Sequence, residues 1–314
     1  MQTNHELKGL FLASISATFW GVSGAIAQTL FDTTNINSLW LTGIRMLGAG
    51  IGLLIISLIT KVDLWSIWHQ PQDLLQVAAY TLLGLMPVQF TYFLAVEASN
   101  AATATILQFM GPVFIAIWLV LAHHQLPTRP EGLAIGLALI GSFLLVTHGN
   151  PATLVISVAA LGWGLLSGVT SATNTLLPTR LLTKYSPMIV NTWSMLLGGL
   201  LFNLVQPVWQ IQIPLTLANI SKLGFVIIFG TLLAFLFFLQ SLNYIRPTVV
   251  SLLDAFEPLS ATIIAVVLLG VSFQWLDILG SLLIISTVFV LALGQRHNDV
   301  AAVNFHQGQR EDDL

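Results

Sequence analysis

Residues Ser251–Gly270, "SLLDAFEPLSATIIAVVLLG", have the length and apolar content of a helix in lipid, yet Asp254, Glu257 and Pro258 lie inside them. A charged residue at the centre of a membrane helix costs roughly 2.5–3.5 kcal/mol on the insertion scale, so it is expected to face a cavity or a partner. Proline removes its own backbone hydrogen bond and crowds the carbonyl four residues earlier, here that of Asp254. Such a break is tolerated in a bilayer only where protein or cavity water meets the freed group. The segment therefore predicts a membrane helix that lines a polar interior.

The composition agrees. The 314 residues are 56% hydrophobic and 7% charged, with a mean hydropathy of +0.87, whereas a soluble domain carries about 25% charged residues. A formal net charge of −3 gives no footing for a nucleic-acid partner. The absence of cysteine excludes disulfides, thiolate metal sites and Cys nucleophiles.

A hydrocarbon core of roughly 30 Å needs about 20 helical residues to cross. Apolar runs of that length fall near 9–30, 38–59, 74–96, 101–122, 131–148, 154–177, 187–206, 223–243, 247–270 and 276–294, which predicts ten spans. The first is expected to be a retained helix rather than a signal peptide, since another apolar run follows almost at once. With the N-terminus placed in the cytoplasm, Lys8, Lys61, Arg129, Arg180, Lys184, Arg246, Arg296 and Arg310 fall inside and only Lys222 outside. That asymmetry predicts an N-in, C-in multi-pass protein of the cell membrane. Residues 1–8 form a cytoplasmic N-terminus and 295–314 a disordered cytoplasmic tail on this reading.

The chain also matches itself. "YFLAVEASNAATATILQFMGPVF" (Tyr92–Phe114) aligns without gaps on "FLQSLNYIRPTVVSLLDAFEPLS" (Phe238–Ser260), placing Pro112 on Pro258, Gln108 on Asp254 and Gly111 on Glu257. "TFWGVSGA" (Thr18–Ala25) has its counterpart in "GWGLLSGV" (Gly162–Val169). Five spans separate the copies, and an odd number inverts the second in the membrane. Two inverted five-helix repeats, 9–148 and 154–294, are the architecture of many alternating-access transporters.

With these features the chain resembles the EamA-type family of the drug/metabolite transporter superfamily over roughly residues 9–294. The likeness rests on Trp20–Gly21, on Arg45 within the second span, on "ILQFMGPVFIAIWLVL" in span four and on "LLDAFEPLSATIIAVVLLG" in span nine. The resemblance implies a secondary transporter with a central cavity lined by spans one to four and six to nine, with spans five and ten peripheral. Family members carry a Gly-Glu pair after spans four and nine. Here His123 or His124 and Val271 stand in those places, so no gating role passes to glutamates there.

Several residues could carry the chemistry. Counted from Pro247 at 1.5 Å per residue, Glu257 lies about 15 Å deep, with Asp254 one turn nearer the cytoplasm on the same face. A carboxylate there could take a proton, a cation or an amine, or pair structurally with Arg45. Arg45 could instead reach the interface or hold a substrate carboxylate. Trp20 and Trp163 lie well inside their spans, where an indole can pack or meet a cation through its face. Gln89, Tyr92, Gln108 and Asn174 are either cavity groups or helix-to-helix contacts. Pro112 and Pro258 break their helices, or merely kink them. His123 and His124 read as a solvated helix end, and no cluster has metal-ligand spacing.

The expected function is therefore a secondary active transporter that exports a small polar metabolite, an amino acid or amine, by alternating access around a midplane cavity. Its partners are the bilayer, the substrate and possible coupling protons, with no cofactor; oligomeric state is open. An importer of a small amine or quaternary ammonium compound is the alternative within that class. A membrane-embedded enzyme or scaffold is the alternative outside it. The sequence holds no H-E-x-x-H, G-x-S-x-G or P-loop motif.

Overall fold

A computed structural model describes residues 2–34, 36–123, 127–150, 155–245, 250 and 253–291. Arg246, Pro247, His124, Arg296, Arg310 and the tail 295–314 lie outside the described residues, as does the side chain of His123. The described residues are helical, with no strand among them. In chain order the helices are α1 (Gln2–Thr33), α2 (Ser38–Ile59), α3 (Pro71–Tyr80), α4 (Met86–Ala98), α5 (Ala101–Gln108), α6 (Gly111–His123) and α7 (Arg129–Thr147). They continue with α8 (Val158–Leu176), α9 (Thr179–Leu182), α10 (Pro187–Val205), α11 (Leu217–Ile227), α12 (Ala234–Ser241), α13 (Phe256–Val267) and α14 (Trp275–Leu291).

Polar residues start these helices where the apolar runs begin. The side chains of Asn37, Asn100, Ser157, Ser186 and Thr216 each accept a hydrogen bond from the first turn that follows. Glu131 accepts from the N–H of Thr128 at 2.7 Å at the head of α7. Capping of this kind satisfies N–H groups that lipid cannot.

Among the described residues seven helical stretches are long and apolar enough to cross a membrane: Glu6–Thr33, Ser38–Ile59, Pro71–Ala98, Ala101–Ala122, Arg129–Thr147, Pro187–Val205 and Leu217–Ser241. The 19-residue α8 falls outside this set because Ser167, Thr170, Ser171, Thr173, Asn174 and Thr175 lower its hydropathy. The turn at Asp254–Ala255 cuts α13 down to 12 residues, and α14 is described only as far as Leu291.

Two of the crossings are not plain α-helices. A π segment, Thr81–Leu85, joins α3 to α4, and another, Ile228–Leu233, joins α11 to α12. A widened turn of this kind occurs mostly at functional positions.

The strongest packing between the halves is α2 on α10. A Cβ on Gly50 would stand 2.8 Å from the Leu196 nitrogen, and one on Gly199 would stand 2.6 Å from the Leu47 nitrogen. The two backbones approach so closely that only glycine fits, as in membrane helix pairs generally. An ion pair ties α3 to the segment that leads into α10. Asp73, 1% exposed, accepts from Lys184 Nζ at 2.9 Å and from Tyr185 Oη at 2.8 Å. Elsewhere His148, at the end of α7, meets Asp277 in α14 at 2.5 Å.

Candidate functional site

The helix that reads as span four is interrupted at Phe109–Met110, before Gly111–Pro112, and the one that reads as span nine at Asp254–Ala255, before Pro258. The second break does not leave a bare carbonyl. The N–H of Glu257 donates to the Asp254 oxygen at 2.9 Å, a tightened turn that satisfies the group proline frees. What points inward here is therefore side chain rather than backbone.

Both breaks face one cavity of about 610 Å³, within the range of small-molecule sites. Nine of the residues singled out from the sequence line it: Trp20, Arg45, Gln89, Tyr92, Gln108, Pro112, Asn174, Asp254 and Glu257. Pro258 is buried behind Glu257 and is not part of the lining. Trp163 is placed elsewhere. It is 37% exposed, near the start of α8, and Asn174 lies eleven residues or about 16 Å further along that helix. The matched tryptophans thus differ in place, and only Trp20 meets the cavity.

Trp20 is held by an aromatic wall. Its ring stands 5.2 Å from Phe235 and 5.5 Å from Phe238, both of which line the cavity. Beside it, Gly21 lets α1 lie directly on the backbone of the Glu257–Ala261 turn, where Ser260 Oγ donates to the Glu257 carbonyl at 3.0 Å. Gly111 does the same for the first break, against Ser171 of α8. Each break is braced by a helix from the other half.

Arg45 is 6% exposed and makes no ion pair with a carboxylate among the described residues. Its Nε donates to Thr231 Oγ1 at 2.6 Å and its Nη2 to the Gly230 carbonyl at 3.4 Å, while the guanidinium lies 5.0 Å over the Phe93 ring. Glu257 lines the same cavity as Arg45. Tyr92 Oη shares a 3.0 Å hydrogen bond with Thr105 Oγ1. Asp254 Oδ1 and Asn174 Oδ1 are buried without a hydrogen-bond partner among the described residues. Groups so placed are costly unless something else meets them.

The sequence reading missed part of the wall. Phe235 and Phe238 stand in "FLFFLQ", a run whose uniform apolarity hides its inward face, and Ser171 lies one turn before Asn174 with Thr175 directly after it. Glu131, Val288 and Leu291 also line the cavity, although the family resemblance places their helices at the periphery. They mark its course, for Glu131 lies in the first turn of α7, Leu291 is the last described residue of α14 and Leu176 ends α8. The cavity runs from mid-bundle to that end of the helices. Among the described residues no group of three acidic or histidine side chains could hold a metal ion.

Comparison with known proteins places this geometry. The profile of the EamA-like transporter family matches residues 7–147 and again 158–293. The uncharacterized inner membrane transporter YicL of Salmonella typhimurium is 38% identical over 295 residues, covering 94% of this chain and 98% of that protein. An S-adenosylmethionine/S-adenosylhomocysteine transporter of Chlamydia muridarum is 23% identical over 85% of this chain and 86% of its own. A crystal structure of another protein shares the fold with a TM-score of 0.62 at 15% identity, covering 95% of this chain and 99% of that one. The chain belongs to the EamA-like transporter family, and it is a multi-pass membrane transporter.

Proposed function

We propose that the protein is a secondary active transporter that carries a small polar metabolite with an amino group, an amino acid or an amine, out of the cell across the inner (plasma) membrane. One observation carries the substrate class. Asp254 and Glu257 enter the cavity beside an aromatic wall, and one Asp254 oxygen is buried without a partner among the described residues. A cationic amino group satisfies both features, by a charge-assisted hydrogen bond and by contact with the indole face. Gln89, Gln108 and Asn174 supply neutral donors and acceptors for the rest of the molecule. The relative named for S-adenosylmethionine and S-adenosylhomocysteine supports a substrate with an amino-acid head.

On this reading the ten spans form two inverted repeats with both termini in the cytoplasm. The cavity end marked by Glu131 and Leu291 is then cytoplasmic, which suits loading from inside and release outside. Alternating access exchanges that opening for one on the other face. Protons are the proposed coupling ion, taken by Asp254 or Glu257. An importer of an amine or quaternary ammonium compound would use the same groups.

The test is counterflow in proteoliposomes, screening labelled amino acids, amines and quaternary ammonium compounds with and without a pH gradient. Saturable flux of an amino compound is expected. No flux across the whole panel would sink the proposal, and flux indifferent to the gradient would remove the proton from it.

A further inference from the structure

The two π segments occupy equivalent places in the two halves. Gly84 lies eight residues before Tyr92, and Gly230 lies eight before Phe238, the pair that opens the internal alignment. Their surroundings differ. In the second half, Thr231 Oγ1 donates to the Val226 carbonyl at 2.8 Å and accepts from Arg45 Nε, while Arg45 Nη2 reaches Gly230. In the first half, the corresponding helix is α10. Arg45 stands seven residues into α2, and the residue seven into α10 is Ser194. Ser194 Oγ is buried and has no partner. Through Gly198, α10 lies against Thr81 and Met86, and Thr173 Oγ1 of α8 donates to the Leu83 carbonyl at 2.8 Å. A guanidinium thus holds one π segment, and a neutral hydroxyl holds the other.

We propose that Arg45 is a positioning residue that sets the π turn of the α11–α12 helix and so couples occupancy of the cavity to the aromatic wall that closes it. The proposal rests on the transporter reading above. Its physical basis is register. Relaxing a π turn to α removes one residue from the turn, which rotates everything beyond it by about 100° and shifts it about 1.5 Å. Phe235 and Phe238 lie just beyond Leu233 and face Trp20, so that rotation carries them off the substrate position. Arg45 and Glu257 both line the cavity. A cationic group arriving at Glu257 takes up the carboxylate's field and alters the pull on Arg45, and through it the turn.

Amide hydrogen exchange on the full chain in lipid nanodiscs tests the contact without any ligand. Thr231→Val removes only the hydroxyl and keeps the shape; Arg45→Lys removes the fork. Both are expected to speed exchange about ten-fold across residues 228–238 and to leave 81–92 unchanged, whereas Ser194→Ala changes neither. Unaltered exchange at 228–238 in Thr231→Val, or an equal rise in both segments, would overturn the proposal. Counterflow of the labelled panel gives the second readout. Thr231, outside the cavity lining, is expected to affect the maximal rate, with Thr231→Val about ten-fold slower at an unchanged half-saturation concentration. A raised half-saturation with an unchanged maximal rate would also overturn it. If the wild type carries nothing on the panel, the amino-compound reading fails, and the exchange data still decide whether Arg45 sets the turn.

Discussion

The breaks at Phe109–Met110 and Asp254–Ala255 share a backbone plan and differ in chemistry. Each precedes a proline, each faces the same cavity, and each is braced through a helix of the opposite half. The first presents Gln108 and a bare Gly111, the second Asp254 and Glu257. The proline break thus belongs to the scaffold common to both halves. Charge is added on one side only, beside Trp20 and its phenylalanines. A cavity built from near-repeats acquires a direction for its ligand when one of its two breaks alone carries acids.

The sharpest way to break this comparison is to neutralise the second site. Glu257→Gln keeps the shape of the side chain and removes its charge. Counterflow of the labelled amino compound is expected to fall about a hundred-fold, the cost of losing a charged hydrogen bond in a buried site. Asp254→Asn is expected to show a smaller loss in the same assay. Moving the acid across the alignment sharpens the point. The double variant Gln108→Glu with Asp254→Gln keeps the charge in the cavity but on the other break. Recovery to wild-type flux would show that charge alone matters and that its side does not. We expect the variant to remain at least ten-fold impaired, because the aromatic wall stays on the second side.

The tryptophans offer a second contrast, one between a residue in the cavity and a residue outside it. Trp20→Ala is expected to raise the half-saturation concentration about ten-fold, by removing an indole face that a cation can use. Trp163→Ala is expected to stay within about two-fold, as for a substitution away from a site. Equal effects would mean that the symmetric positions act symmetrically after all.

Much of this was legible in the sequence because membrane physics leaves few choices. Charge is so expensive in a span that Arg45, Asp254 and Glu257 announced an interior, and prolines at aligned positions announced the breaks. Amphipathic patterning fails where both faces are apolar, so Phe235 and Phe238 carried no mark of their inward orientation. The repeat also misled. Trp20 and Trp163 match in local sequence, but α8 meets the cavity over Ser171–Leu176, far from Trp163. The π segments left little trace beyond Gly84 and Gly230, since a widened turn depends on what packs against it. Arg45 was legible as buried; that its partners are a hydroxyl and a carbonyl of another helix was not, because such contacts span 186 residues.

The prolines themselves give the finest test of scaffold against chemistry. At Pro258 the Asp254 carbonyl is already met by the Glu257 N–H, and proline sits in the first turn of α13, where it costs little. Pro258→Ala restores a donor that can draw the Asp254 carbonyl into a regular α turn. Straightening is opposed by α1, whose Gly21 lies on the Glu257 backbone. Glu257 should therefore shift only slightly, and counterflow is expected to fall about three-fold, under 1 kcal/mol. Pro112→Ala is expected to cost still less, because no carboxylate depends on the first break for its aim. If Pro112→Ala proves the more damaging of the two, the breaks differ in mechanics as well as in charge, and the division between shared scaffold and one-sided chemistry has to be redrawn.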